Sequence, residues 1–435
     1  MKKELFRFLI ILSLFFSNFQ FAQQEKGITG YSNWLDGWTD FKPATTSYGE
    51  PTQILSGEIS EDMQLNKKDV YLLLGDVFVT DSATITIEPG TVIKGDFKTK
   101  GSLIITNGSK IIADGTETDP IIFTSSKAVK KPGDWGGLFI LGNAPINTFG
   151  KTAALNNGLT PSSNELISYG GDDDINNSGK LKFVRIEFAG KRTKNYGYFN
   201  GLTLAGVGSK TLFQNVMVSY CEGNAVKVIG GNVILEQMVS YKATKNDYMF
   251  NSGATATISN SIAVRSPYVS SPEGSRCLYV SSTHKDEEVD LSRRQTDVIA
   301  ENLTLFNLSS DLKNDINLGL VKEAIFVDAE TSFSINRSVI SGFNPAVILD
   351  EAIELNDTNL SKIKFTSTYF NNCRGNIFIA NQANNDDLES WYGSRAFNNV
   401  YAKGNDSETF IAAHHRRQPD FRLKINKIYA ANDND

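Results

Sequence analysis

Short apolar runs alternate along the chain with clusters of Gly, Asn, Asp and Ser. The runs at 70–74, 85–87, 91–94, 103–106, 121–124 and 138–141 are rich in Val, Ile, Leu and Phe. Such runs between turn-forming residues predict strands joined by turns. No long segment after the first 22 residues carries a helical period.

Farther along, the same pattern becomes a repeat. FVRIEFAG from Phe183, NVMVSYCE from Asn215, EQMVSYKA from Glu236, SNSIAVRS from Ser259, ENLTLFNL from Glu301, NRSVISGF from Asn336 and TSTYFNNC from Thr366 read as one strand seen repeatedly. The tightest spacing, from Val218-Ser219-Tyr220 to Val239-Ser240-Tyr241 and on to Ala263-Val264, is about 20 to 25 residues, the length of one coil of a stacked solenoid. A second strand per coil is legible at 225–229, 248–250 and 346–349. One coil cannot bury its apolar side alone, so successive coils stack around an interior, here expected to hold Val218, Val239 and Ile340. Abundant asparagine fits the turns, where it tolerates the left-handed conformation. The LxxLxL consensus of leucine-rich repeats is absent, and the expected fold is an all-β, right-handed parallel β-helix.

A solenoid needs covered ends. The segment 23–69, with Trp34, Trp38, Phe41 and Tyr48, is expected as an N-terminal cap, 70–383 as the β-helix, and 384–435, with Trp391, Tyr392, Phe397 and Phe421, as a C-terminal cap. Trp34 and Trp38 read as packing residues, with sugar stacking as the alternative. Residues 1–22 read as a secretory signal: Lys2 and Lys3, an apolar run from Phe8 to Phe16, and Ala22 before the expected cleavage. The expected location is therefore periplasmic, outer-membrane-associated or extracellular, with no transmembrane segment in the mature chain.

Charge narrows the partners. With 43 Lys+Arg against 49 Asp+Glu the net charge is -6, which argues against an electrostatic nucleic-acid binder. Cys221, Cys277 and Cys373 lie far apart without CxxC spacing and read as small buried hydrophobes, so no zinc or thiol-redox centre is expected.

Four segments resemble a family of exported bacterial parallel β-helix proteins of largely uncharacterised function. They are ITIEPGTVIKGDFKTKGSLIITNGSKIIADGTETDPIIFTSS, PGDWGGLFILGNAPIN, YGGDDDINNSGKLKFVRIEFAG and NGLTLAGVGSKT, in the family's order, with GDWGG and LGNAPIN as the distinctive motif. The resemblance implies an envelope or secreted location and association with an outer-membrane or surface protein assembly, but no defined reaction. Where the family places the cluster DDSFEWFGG, this chain has GNAVKVIGG from Gly223 to Gly231, so Asn224 and Lys227 replace acids. Of a DDDFD-like cluster only Asp247 remains, and a GFESDND-like stretch reads Cys277 to Ser282.

Many β-helix proteins act on polysaccharides, by elimination with Ca²⁺ and a basic side chain or by hydrolysis with carboxylates on adjacent coils. The expected groove set is Arg185 and Glu187, then Glu222 and Lys227, then Lys245 and Asp247. Glu222 with Asp247 would be the carboxylate pair, and Lys227 or Arg185 the base. Asp172, Asp173 and Asp174 read as a solvated turn, with Ca²⁺ chelation as the alternative; otherwise no cofactor or metal is expected. His284 lies in a charged excursion, 281–296, that reads as a partner-contacting loop. The depleted carboxylates favour a non-enzymatic binding or scaffolding role over the alternative, a carbohydrate-active enzyme of lyase or hydrolase type acting on an acidic or neutral glycan.

Overall fold

The computed structural model describes residues 26–155, 158–194, 197–271, 274–283, 289–383 and 385–424. The expected signal segment and His284 lie outside them.

The chain winds as a right-handed parallel β-helix in which 29 strands of the described residues join in one continuous sheet. Three parallel ladders run its length. The first stacks Met63–Leu65, Thr84–Ile87 and Lys110–Asp114 and continues to Ile363–Thr366. The second begins at Gln53–Ile59 and ends at Val400–Ala402, and the third climbs through Ser102–Ile105 and Leu138–Leu141 to Ile377–Ile379.

Within each strand alternate residues point inward. The burial of Thr255–Ser259 and Thr331–Asn336 alternates accordingly, as the two-residue strand period requires. Val218, Ser240, Ala263, Leu305, Ile340 and Phe370 form one inward column of the second ladder, each at most 1% exposed.

That column corrects one expectation. Aligning the two VSY triplets pairs Val218 with Val239, whereas Val218 pairs with Ser240 and Met217 with Val239. Val239 therefore faces outward. The register is set at the corner between the first and second ladders, where single residues such as Asn215, Gln237, Asn260 and Asn302 adopt φ of 44–53°. Counted from that left-handed residue, Met217 and Val239 occupy the same position, and a slip of one residue reverses every side chain. Asparagine recurs at these corners because it tolerates the conformation at little cost.

Outward-facing Val239 is nonetheless 1% exposed. The N-terminal segment does not cover an end of the helix; it runs down the outside of the second ladder. Gly27 donates to Arg337 O, Thr29 to Asn260 Oδ1, and Arg185 reaches Trp38 O. Ile28, Leu35, Trp38 and Phe41 thereby cover Met217, Val239, Tyr241, Ile262 and Phe306. Phe410 and Phe421 return along the same flank and pack on Phe306, at 5.1 and 5.4 Å between ring centroids. Trp38 is fully buried, so packing accounts for it. The β-helix itself already begins at Gln53, inside the segment expected to be a cap.

At the other end the helix Asp386–Tyr392 does cover the last coil. Tyr392 lies 5.1 Å from Phe365 and donates its hydroxyl to Ile363 O.

The GDWGG motif is a corner of the frame. Trp135 is buried in the interior and donates its indole N–H to Glu187 O at 2.7 Å. Asp134 accepts from Ser125 and from the Lys131 amide. A Cβ on Gly136 would fall 1.9 Å from Ser102 Oγ, so only glycine fits there. Cys221 and Cys277 are buried and unbridged, and burial pushes the Cys221 thiol up to about 12.

Candidate functional site

The expected groove set is dispersed. Arg185 and Glu187 face outward on the second ladder beneath the N-terminal strap. Arg185 Nε lies 3.3 Å from Glu187 Oε1, and its Nη2 donates to Tyr48 OH at 2.8 Å. Glu187 is 1% exposed, and desolvation outweighs Arg185 and raises its carboxyl to about 7. Asp247 is fully buried inside the corner between the second and third ladders. It accepts from Arg265 at 2.9 Å and Ser240 at 2.5 Å. Burial is the dominant influence on Asp247 and raises its pKa. Glu222 sits at the same corner and accepts from Thr244 at 3.5 Å, Lys245 lies over the Tyr198 ring, and Lys227 faces outward on the third ladder. Asp247 and Arg185 are thus framework groups.

Asn224, at the position where the resembled family has an acid, belongs to a buried amide ladder. Its Nδ2 donates to Asn200 Oδ1 at 2.8 Å and Asn246 Nδ2 donates to Asn224 Oδ1 at 3.0 Å. Stacked amides satisfy one another one coil apart, which stabilises the corner without charge.

The Asp172–Asp174 carboxylates diverge. Asp172 pairs with Lys151 at 2.8 Å, Asp174 with Arg294 at 2.9 Å, and Asp173 accepts from the Ile175 amide. Among the described residues no group of three or more His, Cys, Asp or Glu side chains is placed to hold a metal. Arg294, in the expected partner loop, also donates to Pro145 O and Gly231 O, so the described part of that loop is fastened to the body.

The outer face of the third ladder offers what the expected groove does not. Over its first coils Phe78, Ile104 and Phe139 are covered by Ile146, Leu155, Ile167 and Tyr169 from an insertion after Leu141. Beyond the insertion the outward column continues as Lys227, Met249, Tyr279, Phe326, Ile348 and Phe378, all half-buried and with no covering segment among the described residues. Tyr279 and Phe326 stack with centroids 5.5 Å apart and planes 13° from parallel. The Arg276 guanidinium lies 4.7 Å from the Phe326 centroid and is held by Glu323 at 2.5 Å.

The next outward column holds Ser281, Asp328 and Asp350. Asp328 accepts from Ser281 at 2.7 Å and from the Ala329 amide, and Asp350 follows one coil on, because Val327 pairs with Leu349. Partial burial raises the pKa of Asp328, and the charge of Asp350 adds to the rise against the Ser281 hydrogen bond. Neighbouring strands lie about 4.8 Å apart, so the two aspartates occupy adjacent coils of one column, next to an aromatic platform. Sequence reasoning missed this pair. The signal lies in the recurrence AIFVDAE from Ala324 and AVILDEA from Ala346, two copies of one strand ending in aspartate.

No helix of the described residues is long and apolar enough to cross a membrane. A comparison with curated protein sequences gives no match. Among solved structures, the catalytic domain of a GH87 α-1,3-glucanase variant in complex with tetrasaccharides is 10% identical, with a TM-score of 0.27, covering 82% of this chain and 64% of that one. The Dettilon tailspike protein is 12% identical, with a TM-score of 0.18, covering 75% and 62%. The chain thus spans slightly under two thirds of either protein, and at these scores the likeness carries no argument about substrate. The sequence profile of the pectate-lyase-like β-helix domain, in contrast, matches residues 57–414, nearly the whole described body, and the chain belongs to that family.

Proposed function

We propose that the protein binds a glycan chain along the open face of the third ladder and cleaves it hydrolytically with Asp328 and Asp350. The observation that carries the reading is the raised Asp328 carboxyl, one coil from Asp350 and beside the stacked Tyr279 and Phe326. Pyranose rings present C–H groups that pack on aromatic faces. Burial and a like-charged neighbour raise the Asp328 carboxyl, the direction a general acid requires. Asp328 would protonate the leaving glycosidic oxygen as the C–O bond breaks. Asp350 would attack the anomeric carbon as nucleophile, and water, activated by the deprotonated Asp328, would then hydrolyse the glycosyl ester. Residues on adjacent coils, about 4.8 Å apart, suit the close carboxyl pair of a retaining mechanism.

The family match supports a glycan over the accessory role in an outer-membrane assembly that the resemblance implied, and the open aromatic column gives the glycan a place to lie. Export by the 1–22 segment is part of the same proposal, because polymeric glycans lie outside the cytoplasm; N-terminal sequencing of the secreted protein should begin at Gln23.

The test is a panel of neutral and acidic polysaccharides assayed for new reducing ends. Asp328→Asn, which keeps the shape but has no acidic proton to donate, should lower kcat by roughly 100-fold or more while affinity changes little. Unchanged turnover in Asp328→Asn would remove the catalytic assignment. Binding with no release of reducing ends by the wild type would leave a glycan-binding protein without hydrolysis.

A further inference from the structure

On the corner between the second and third ladders a cleft of about 330 Å³ opens between the turn at 96–101 and the hairpin of Arg192–Thr193 with Gly197–Tyr198. Its walls carry Lys98, Lys100, Lys191, Arg192 and Lys194. Lys191 is paired with Asp76 at 3.2 Å and lies 4.6 Å from the Phe199 centroid, which fixes it as the floor. Lys98, Lys100, Arg192 and Lys194 have no carboxylate partner among the described residues; Arg192 lies 5.9 Å from the Tyr198 ring centroid. In a chain of net charge -6, four uncompensated cations around one concavity repel one another. They are stabilised by an anion that can accept from several donors at once.

We infer that this cleft binds a sulfate or phosphate ester carried by the glycan, an inference that rests on the glycan reading above. A tetrahedral ester presents three acceptor oxygens and can carry up to two charges, whereas a carboxylate offers two oxygens and one charge. The position suits a polymer. Thr203, on the third-ladder strand that follows the hairpin, stacks through Lys227 and Met249 to Tyr279. Three coil steps of about 4.8 Å separate cleft from platform, a span of a few sugar units. Lys245 lies over the Tyr198 ring between them, continuing the basic corner towards Arg276.

The experiment is calorimetric titration of the full chain with dextran, dextran sulfate, dextran phosphate and polygalacturonate of matched length. Lys98→Ala/Lys194→Ala, on opposite walls of the cleft, is compared with Lys110→Ala/Lys364→Ala, two exposed lysines on the first ladder. At least one ester should bind tenfold or more tighter than dextran and polygalacturonate. The cleft pair should weaken it by about tenfold and lessen its salt dependence, while the control pair leaves both unchanged. Whichever ester binds tighter identifies the source of the charge. Equal losses in the two variants, no loss in either, or dextran or polygalacturonate binding as well as the esters would overturn the inference. The glycan reading fails separately: if Tyr279→Ala/Phe326→Ala binds the ester polymer as the wild type does while the cleft pair is impaired, the cleft is an anion site and the aromatic face is not a glycan platform.

Discussion

The outer faces of the second and third ladders come from the same coils and the same alternation, yet one is sealed and the other open. On the second, Val239, Ile262 and Phe306 lie beneath Trp38, Phe41, Phe410 and Phe421 and are at most 1% exposed. On the third, Tyr279, Phe326, Ile348 and Phe378 keep partial contact with solvent. Each face carries a carboxyl shifted upward by desolvation, Glu187 on the sealed one and Asp328 on the open one. A shifted pKa alone therefore does not mark chemistry. Glu187 is locked against Arg185 and Tyr48 where no polymer reaches it, whereas Asp328 has a neighbouring acid, a surface for a ligand to lie on, and access.

Substitutions separate the two faces, and the largest effect belongs to the sealed one. Val239→Asp would bury an unpaired charge beneath the strap and should cost about 4 kcal/mol or more. It should prevent folding or lower Tm by many degrees, whereas Ile348→Asp, outward on the open face, should cost far less. Similar Tm losses in a thermal melt would show that the strap does not seal the second ladder in solution.

On the open face, Tyr279→Ala/Phe326→Ala should weaken glycan binding by roughly tenfold or more through lost stacking area. Tm should move much less than in Val239→Asp, and titration calorimetry alongside the melt checks both.

Glu187→Gln comes next. The folded-state value of about 7 lies above the ordinary 4.5, so the folded protein holds a proton that the unfolded chain has released between those values. The stabilisation is complete below pH 4.5 and is lost as pH rises through 7. The glutamine variant should therefore gain a few degrees over the wild type at pH 8 and gain nothing at pH 4. Parallel melting curves across that range would mean that the strap leaves Glu187 hydrated.

The smallest effect is expected for Asp172→Asn. Its partner Lys151 is 57% exposed and Asp172 itself 74%, so loss of the pair should change stability by less than about 1 kcal/mol. Adding calcium should not restore a difference between the two proteins.

Much of the frame was legible because it is written locally. Alternation, β-branched runs and corner asparagines recur within each coil, and together they specify a stacked helix. The GDWGG motif, singled out by resemblance, occupies a corner where Trp135 is buried and Gly136 leaves no room for a side chain. Of the aromatics expected in a C-terminal cap, Tyr392 packs on the last coil, whereas Phe421 lies on the flank of the second ladder. The candidate site was not legible. Glu222 and Lys227 fall on one coil and Asp247 on the next, yet the coil path turns Asp247 inward to Arg265 and leaves Glu222 at the corner. The acids that do align, Asp328 and Asp350, end strands of the third ladder, and nothing in either strand alone marks its acid as facing the other; only the pairing of Val327 with Leu349 brings them together.

From the amino-acid order alone came the fold class, the coil length where insertions are absent and the residues forming strands, since each depends on side-chain periodicity within a few positions. Only the tertiary structure decided the register, the faces and the site. A single left-handed corner residue shifts a strand by one position and reverses its sides. Segments at the two ends of the chain decide which outer face is closed. Asp328 and Asp350 become neighbours only when a whole coil closes between them.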